Sequence, residues 1–123
     1  MGAPSSVTRV RRGEVYLVAF DPTVGAEIQK TRPGLIIQND IANRYSPITI
    51  VAAITTSVDD VPYPTDVGVR TGEGGLRRDS VVLLNQVRSV DKGRLVRKMG
   101  RLATATMRKV DRARAISLGL AGV

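Results

Sequence analysis

One nine-residue run constrains the fold of this chain more than any other: Ile48-Thr49-Ile50-Val51-Ala52-Ala53-Ile54-Thr55-Thr56. It is well short of the ~20 apolar residues a membrane-spanning helix needs. It carries none of the apolar/polar alternation of a strand with one wet face. Near-continuous apolar character in a short segment is the pattern of a strand buried on both faces.

The remaining segments fit around such a strand. Gly13 to Phe20 reads as a strand, with Val15, Leu17 and Ala19 on one face and Glu14, Tyr16 and Val18 on the other. Asp21-Pro22 ends it, and the polar stretch Thr23 to Thr31 around Gly25 reads as a mobile loop. Gly34 to Gln38 is a second short strand, and Asn39 to Pro47 is turn-rich. Ser57 to Pro64 is another loop. Val67 and Val69 alternate with polar residues as in a half-exposed strand, and Thr71 to Gly75 reads as a glycine-rich hairpin turn. Ser80 to Val90 and Leu95 to Leu102 are β runs separated by one helical turn at Asp91 to Arg94. From Ala103 onward, Met107, Val110, Ala113 or Arg114, Ser117 and Leu120 recur at helical spacing with Ile116 beside them, and Thr104 or Thr106 is the candidate cap. Strands followed by one terminal helix, with no βαβ alternation, predict a mainly β protein: a small, strongly bent antiparallel sheet or barrel with a packed C-terminal helix. The expected organisation is a flexible tail at residues 1–9 and a single domain at 10–123.

Charge points to partners. The 123 residues include 19 Lys or Arg against 11 Asp or Glu, a formal charge of +8. That favours a polyanion, whether nucleic acid, an acidic protein or an anionic membrane surface, although solubility alone also accounts for it. There is no Cys and no His. Disulfides, thiol catalysis and the commonest general base and metal ligand are therefore excluded. Catalysis would have to use Arg, Lys, carboxylates, hydroxyls or backbone groups, and neither a cofactor nor a metal is expected. Met1 to Arg9 lacks the apolar run of a signal peptide. With no membrane-length segment either, a cytoplasmic protein is expected.

Two segments are more specific than these patterns. The first runs from Gly13-Glu14-Val15-Tyr16 through Asp21-Pro22-Thr23-Val24-Gly25-Ala26-Glu27 to Lys30-Thr31-Arg32-Pro33. The second is Gln38-Asn39-Asp40 followed by Ile50 to Thr56, with Arg78-Asp79-Ser80-Val81 and Asn85-Gln86-Val87-Arg88 further on. In this order and spacing the set closely resembles the MazF/PemK family of toxin endoribonucleases, from about Arg12 to Leu120. The resemblance implies an SH3-like barrel of the CcdB/MazF type and a homodimer. It implies metal-independent, sequence-specific cleavage of single-stranded RNA by attack of the 2′-hydroxyl, and inhibition by a cognate MazE-like antitoxin. It also implies catalytic roles for Arg32 in the Arg-Pro motif and for Thr55 at the end of the buried strand, with Glu27 as a third candidate. Beside these, the candidate RNA-contacting residues are Gly25, Gln29, Lys30, Tyr45, Thr56, Ser57 and Gln86. The Kid-like branch of the family carries an Arg-x-Asp pair where this chain has Leu83 and Asn85, so the resemblance is nearer the Arg/Thr branch.

The chemistry suits those residue types. RNA carries its own nucleophile, and cleavage requires orienting it, removing its proton, stabilising a more negative phosphorane and protonating the leaving 5′-oxygen. A guanidinium stays protonated and grips two phosphate oxygens at once, which fits Arg32 to the charge role. Thr55 offers a hydroxyl on a rigid strand. Glu27 is a candidate base if its environment raises its pKa. Each also has a plainer reading: Arg32 paired to a carboxylate, Thr55 an ordinary β-branched strand residue, Glu27 a solvated loop acid. Unstacked bases are read at their edges by groups such as Gln29, Ser57, Asn85 and Gln86, with Tyr45 as a stacking surface. Arg108, Lys109, Arg112 and Arg114 either steer RNA or form a solvated helix face.

Two rival functions fit the same residues. One is a gyrase-binding toxin on the related CcdB fold, in which Arg32 and Thr55 are incidental. The other is a nucleic-acid-binding barrel without catalysis. A metal nuclease is the weakest alternative, because adjacent Asp59 and Asp60 lack convincing ligand spacing.

Overall fold

The computed structural model describes residues 9–20, 31–56 and 63–123. Within them lie β1 (Glu14–Ala19), β2 (Thr31–Ile36), α1 (Asp40–Tyr45), β3 (Ile48–Thr56), β4 (Asp66–Val69), β5 (Ser80–Asp91), β6 (Leu95–Arg101) and α2 (Thr104–Ser117). The strands form one sheet in the order β4-β5-β3-β2-β1-β6, antiparallel at every junction. The expected mainly β chain with a C-terminal helix is what forms.

β3 lies inside the sheet and is covered on both faces. Ala52 and Ile54 enter a core shared with Val15, Leu35, Val82, Leu84 and the helical residues Met107, Val110 and Ala113. Val51 enters a second core with Val10, Tyr16, Val18, Phe20, Ile36, Val90 and Leu95, and Ala53 packs against it. Neighbouring strands divide the same way: Val15 faces the first core while Tyr16 and Val18 face the second, and Leu35 and Ile36 separate likewise. This explains why the alternation expected of a half-wet strand is missing from the middle of the sequence.

Local departures from the sequence reading have identifiable causes. The turn-rich stretch after β2 contains α1, whose start is capped by Asn39: its side-chain oxygen accepts from the Ala42 amide at 2.8 Å. Buried Asn43 then ties the helix to the sheet. Its Nδ2 donates to the Gln38 carbonyl at 2.9 Å, and its Oδ1 accepts from the Thr49 hydroxyl at 2.8 Å. Neither Thr104 nor Thr106 caps α2. The cap position is Ala103, and its amide donates to Glu73 Oε2 at 3.0 Å, so a carboxylate distant in sequence takes the capping role. Leu120 drops out of the helical stripe because α2 ends at Ser117 and Gly119 turns the chain at φ +75°, leaving Leu120 exposed. β2 begins at Thr31, earlier than its apolar run suggests, because β1 pairs with it as far as Ala19↔Thr31.

The link between β4 and β5 is longer than a tight hairpin. It contains a 3-10 turn at Glu73–Gly75 that packs against β6. Gly75, at φ +74°, leaves no room for a side chain against the Met99 carbonyl, and a Cβ on Gly100 would lie 2.6 Å from the Gly74 carbonyl carbon. Two backbone segments meet here with no side chain between them. Asp79 closes the base of the link, its Oδ1 accepting from both the Thr71 amide and hydroxyl at 2.8 Å.

Leu84→Ala, at a side chain 1% exposed in the first core, is expected to lower unfolding free energy by about 2–5 kcal/mol in urea denaturation. Gly100→Ala is expected to shift the midpoint strongly, whereas Gly68→Ala, where an added Cβ meets nothing within 4 Å, stays within about 0.5 kcal/mol of the parent. Hydrogen bonds from the Arg12 amide to Asp40 and from Thr71 to Asp79 hold both carboxyls below their usual value of 3.8. A folded pKa below the unfolded one stabilises above the unfolded value, and that stability is lost as pH falls through the folded one. Denaturation midpoints followed downward from neutral pH are therefore expected to fall below about pH 4, less steeply in Asp40→Asn and Asp79→Asn.

Candidate active site between parting strands

The most distinctive local feature of the sheet lies at Pro33. On one side, β2 stays paired to β1 through Leu17↔Pro33, Val18↔Arg32 and Ala19↔Thr31. On the other, its pairing with β3 runs Ile36↔Val51, Leu35↔Ala52 and Gly34↔Ala53 and stops there. Pro33 has no amide hydrogen to donate to a ladder. β3 meanwhile remains paired to β5 through Thr55↔Val81 and Thr56↔Ser80. The sheet thus divides, with β1 and β2 on one bank and β3 and β5 on the other.

Arg32 and Thr55 face each other across the gap. Continuing the β2–β3 register two residues beyond Gly34↔Ala53 places Arg32 opposite Thr55. Both line a cleft of about 280 Å³ with Pro33, Ile54, Thr56 and Ser80. Arg32 and Thr56 are exposed and Thr55 is half-buried, so the cleft offers a cation and hydroxyls to a ligand from solvent. Among the described residues no carboxylate is ion-paired to Arg32. Behind the cleft, Val18 and Phe20 pack so close to Gly34 that a Cβ there would lie 3.0 and 3.2 Å from them. That contact fixes β2 against β1 next to Arg32.

The structure brings together Arg32, Thr55 and Thr56 of the residues singled out from sequence. Gly25, Glu27, Gln29, Lys30 and Ser57 lie outside the described residues, as do Asp59, Asp60 and all but the last residue of the 1–9 tail. Gln86 is exposed on β5 in a bulge: Ala52 pairs with Val87 and the adjacent Ala53 with Leu83, so Leu84, Asn85 and Gln86 are extra on that strand. The bulge turns Asn85 and Gln86 toward solvent on the bank that carries Thr55. Tyr45 is not at the cleft. It sits on α1, before the first residue of β3, whereas Thr55 is near that strand's last. Ser80 was not singled out as a site residue. Its hydroxyl donates to the Arg78 carbonyl at 2.8 Å, and it is placed by pairing with Thr56. The Arg78-Asp79-Ser80-Val81 motif was its only trace in the sequence.

Comparison with known proteins places the chain in a family. A model of the PemK-like, MazF-like toxins of type II toxin-antitoxin systems matches residues 11–118. Endoribonuclease EndoA of Bacillus subtilis (strain 168) is 49% identical over 111 residues, covering 90% of this chain and 96% of its own. An endoribonuclease solved in complex with its cognate antitoxin, from Mycobacterial species, superposes with a TM-score of 0.75 at 27% identity, covering 93% of this chain and 99% of its own. A MazE-MazF crystal structure from Deinococcus radiodurans, at 21% identity, shares the fold with a TM-score of 0.77, covering 92% of this chain and 98% of its own. With a family model spanning nearly all of its ordered sheet and a relative of this identity and coverage, the chain belongs to the PemK-like, MazF-like toxin family of type II toxin-antitoxin systems.

Proposed function

We propose that this chain is the toxin of a type II toxin-antitoxin pair and acts as a sequence-specific, metal-independent endoribonuclease on single-stranded RNA. The observation that carries the reading is the cleft in which Arg32 stands opposite Thr55 at the parting of β2 and β3. A phosphodiester placed there meets a fixed positive charge from one bank and a hydroxyl donor from the other.

The reaction needs only groups of the chain and of the RNA. The 2′-oxygen attacks the adjacent phosphorus, the bond from phosphorus to the 5′-oxygen breaks, and the products are a 2′,3′-cyclic phosphate and a 5′-hydroxyl. Arg32 neutralises charge on the non-bridging oxygens as the phosphorane forms and is the proton donor to the departing 5′-oxygen. Thr55 donates a hydrogen bond to the scissile phosphate and holds it in line. Glu27 is the group we assign to accept the 2′-hydroxyl proton. Gly25, Gln29, Lys30, Thr56, Ser57 and Gln86 form the flanking contacts that select the sequence, chiefly by hydrogen bonds to base edges. The protein works in the cytoplasm as a homodimer, and a MazE-like antitoxin restrains it by covering the groove that RNA enters.

Purified protein in excess chelator is expected to cut a long single-stranded RNA at discrete sites, leaving 5′-hydroxyl ends. Arg32→Ala is expected to lower kcat by about 10²–10³-fold, as for loss of a principal transition-state donor. Arg32→Lys recovers only part of this because an ammonium lacks the planar fork. Thr55→Val loses activity and Thr55→Ser keeps most of it. Intact RNA after incubation with folded, antitoxin-binding protein would overturn the nuclease reading in favour of a gyrase-binding or binding-only function.

A further inference from the structure

A second concavity, larger than the cleft, lies beside α1: a pocket of about 850 Å³ lined by Arg9, Arg11, Asp40, Ile41, Arg44 and Tyr45 among others. A volume of this order is that of a small-molecule or nucleotide site. Three of those six side chains are guanidinium groups, and none of the three is ion-paired to another described residue. The one acid is already engaged: Asp40 Oδ1 accepts from the Arg12 amide at 2.7 Å and from Asn43 Nδ2 at 3.2 Å. The wall is therefore net positive, and all three arginines are exposed.

Tyr45 adds a flat apolar surface. It is 74% exposed in a chain with only 3 Tyr, 1 Phe and no Trp, and the Arg44 guanidinium carbon lies 5.3 Å from its ring centroid. Arginines beside an open aromatic ring match the two chemistries of a nucleotide, a phosphate and a stacking base. The pocket also has a fixed relation to the cleft. Asn43 in its lining is hydrogen-bonded to Thr49 of β3, six residues before Thr55 on a strand that is straight in register over this span except at the β5 bulge. At strand rise this is on the order of 20 Å, too far for the nucleotide being cut and within reach of one a few positions away.

We infer that the pocket formed by Arg9, Arg11, Arg44 and Tyr45 is an accessory subsite for a flanking nucleotide of single-stranded RNA, with its phosphate on the arginines and its base on Tyr45. This rests on the reading of the chain as an RNA-cutting enzyme and adds a second contact, remote from the reacting phosphate. It accounts for a stacking residue that lies nowhere near Arg32 and Thr55.

The test uses fluorescent 2′-O-methyl oligonucleotides, which lack the free nucleophile and so bind without being cut, in a long form and in a short form carrying only the cleaved sequence. Full-length parent, Arg44→Ala, Tyr45→Ala, Tyr45→Phe and Arg101→Ala proteins are compared by anisotropy across salt concentrations, and unmodified RNAs supply kcat and KM. Tyr45→Ala and Arg44→Ala are expected to weaken the long oligonucleotide on the order of ten-fold. Tyr45→Phe restores binding, and Arg101→Ala, which removes the same charge elsewhere, leaves it unchanged. The salt slope falls by about 0.7 in Arg44→Ala. KM for long RNA rises in step, kcat does not change, and the short oligonucleotide binds all variants alike. If both pocket variants bind and cut long RNA as the parent does, the subsite is refuted while the nuclease reading stands. If they alter the oligomeric state in sedimentation and not RNA binding, the pocket is a contact between copies of the chain and the inference fails. If the parent binds oligonucleotides but leaves unmodified RNA intact, the nuclease reading fails, and the anisotropy series still decides the pocket.

Discussion

The burial of β3 on both faces is the constraint on which the rest of this structure depends. β3 places Ala52 and Ile54 in one core and Val51 in another, and it lies in the interior of the sheet. It needs partners on both sides, which β2 and β5 supply, and a layer over each face. α2 provides the layer on one side through Met107, Val110 and Ala113. On the other, the end of β5 and the start of β6 contribute Val90 and Leu95, while β1 contributes Tyr16 and Val18. Burying the Tyr16 ring beside the Glu14 carboxylate raises its pKa, chiefly through desolvation, and its hydroxyl donates to Glu14 at 3.1 Å. Even the polar groups of this core are thus matched to one another.

A strand held so firmly makes a good mount for a functional group, provided its end is free. Pro33 supplies that freedom. By ending the β2–β3 ladder while β1–β2 and β3–β5 pairing continues, it opens a gap at the rim of a rigid sheet. Arg32 and Thr55 are separated by that gap and positioned by the strands that flank it. The energetic logic is common to many sites: precision comes from the packed scaffold and access from a local failure of regular structure. A second local failure of pairing, the β5 bulge opposite Ala52 and Ala53, leaves Asn85 and Gln86 exposed.

Much of this could be read in the sequence because the relevant signals are local. The unbroken apolar run gave β3, and the helical spacing of Met107, Val110 and Ala113 gave the packed face of α2. The Arg-Pro pair and the Thr-Thr end of the buried run marked the two banks of the cleft. What could not be read depends on contacts between distant segments. Glu73 caps α2 from a turn 30 residues earlier in the chain, a partnership no local pattern announces. α1 was hidden among turn-forming residues because its stability comes from Asn39 capping and the Asn43–Thr49 bond, not from an apolar stripe. The separation of Tyr45 from the cleft is set by the length of β3 that lies between them, which no local pattern around Tyr45 announces. The β5 bulge depends on β3–β5 register, so nothing in the Asn85-Gln86 dipeptide foretold it.

RNA lying across the gap between Arg32 and Thr55 would perturb the residues that line it. The most direct measurement is a nuclear magnetic resonance titration of isotope-labelled protein with a cleavable sequence blocked by a 2′-deoxy sugar at the scissile position. The amides of Arg32, Ile54, Thr55, Thr56 and Ser80 are expected to shift on binding, and the Arg32 side-chain resonances to become protected from exchange. Saturable binding that leaves all of these unchanged and perturbs another face of the sheet would contradict that placement of RNA.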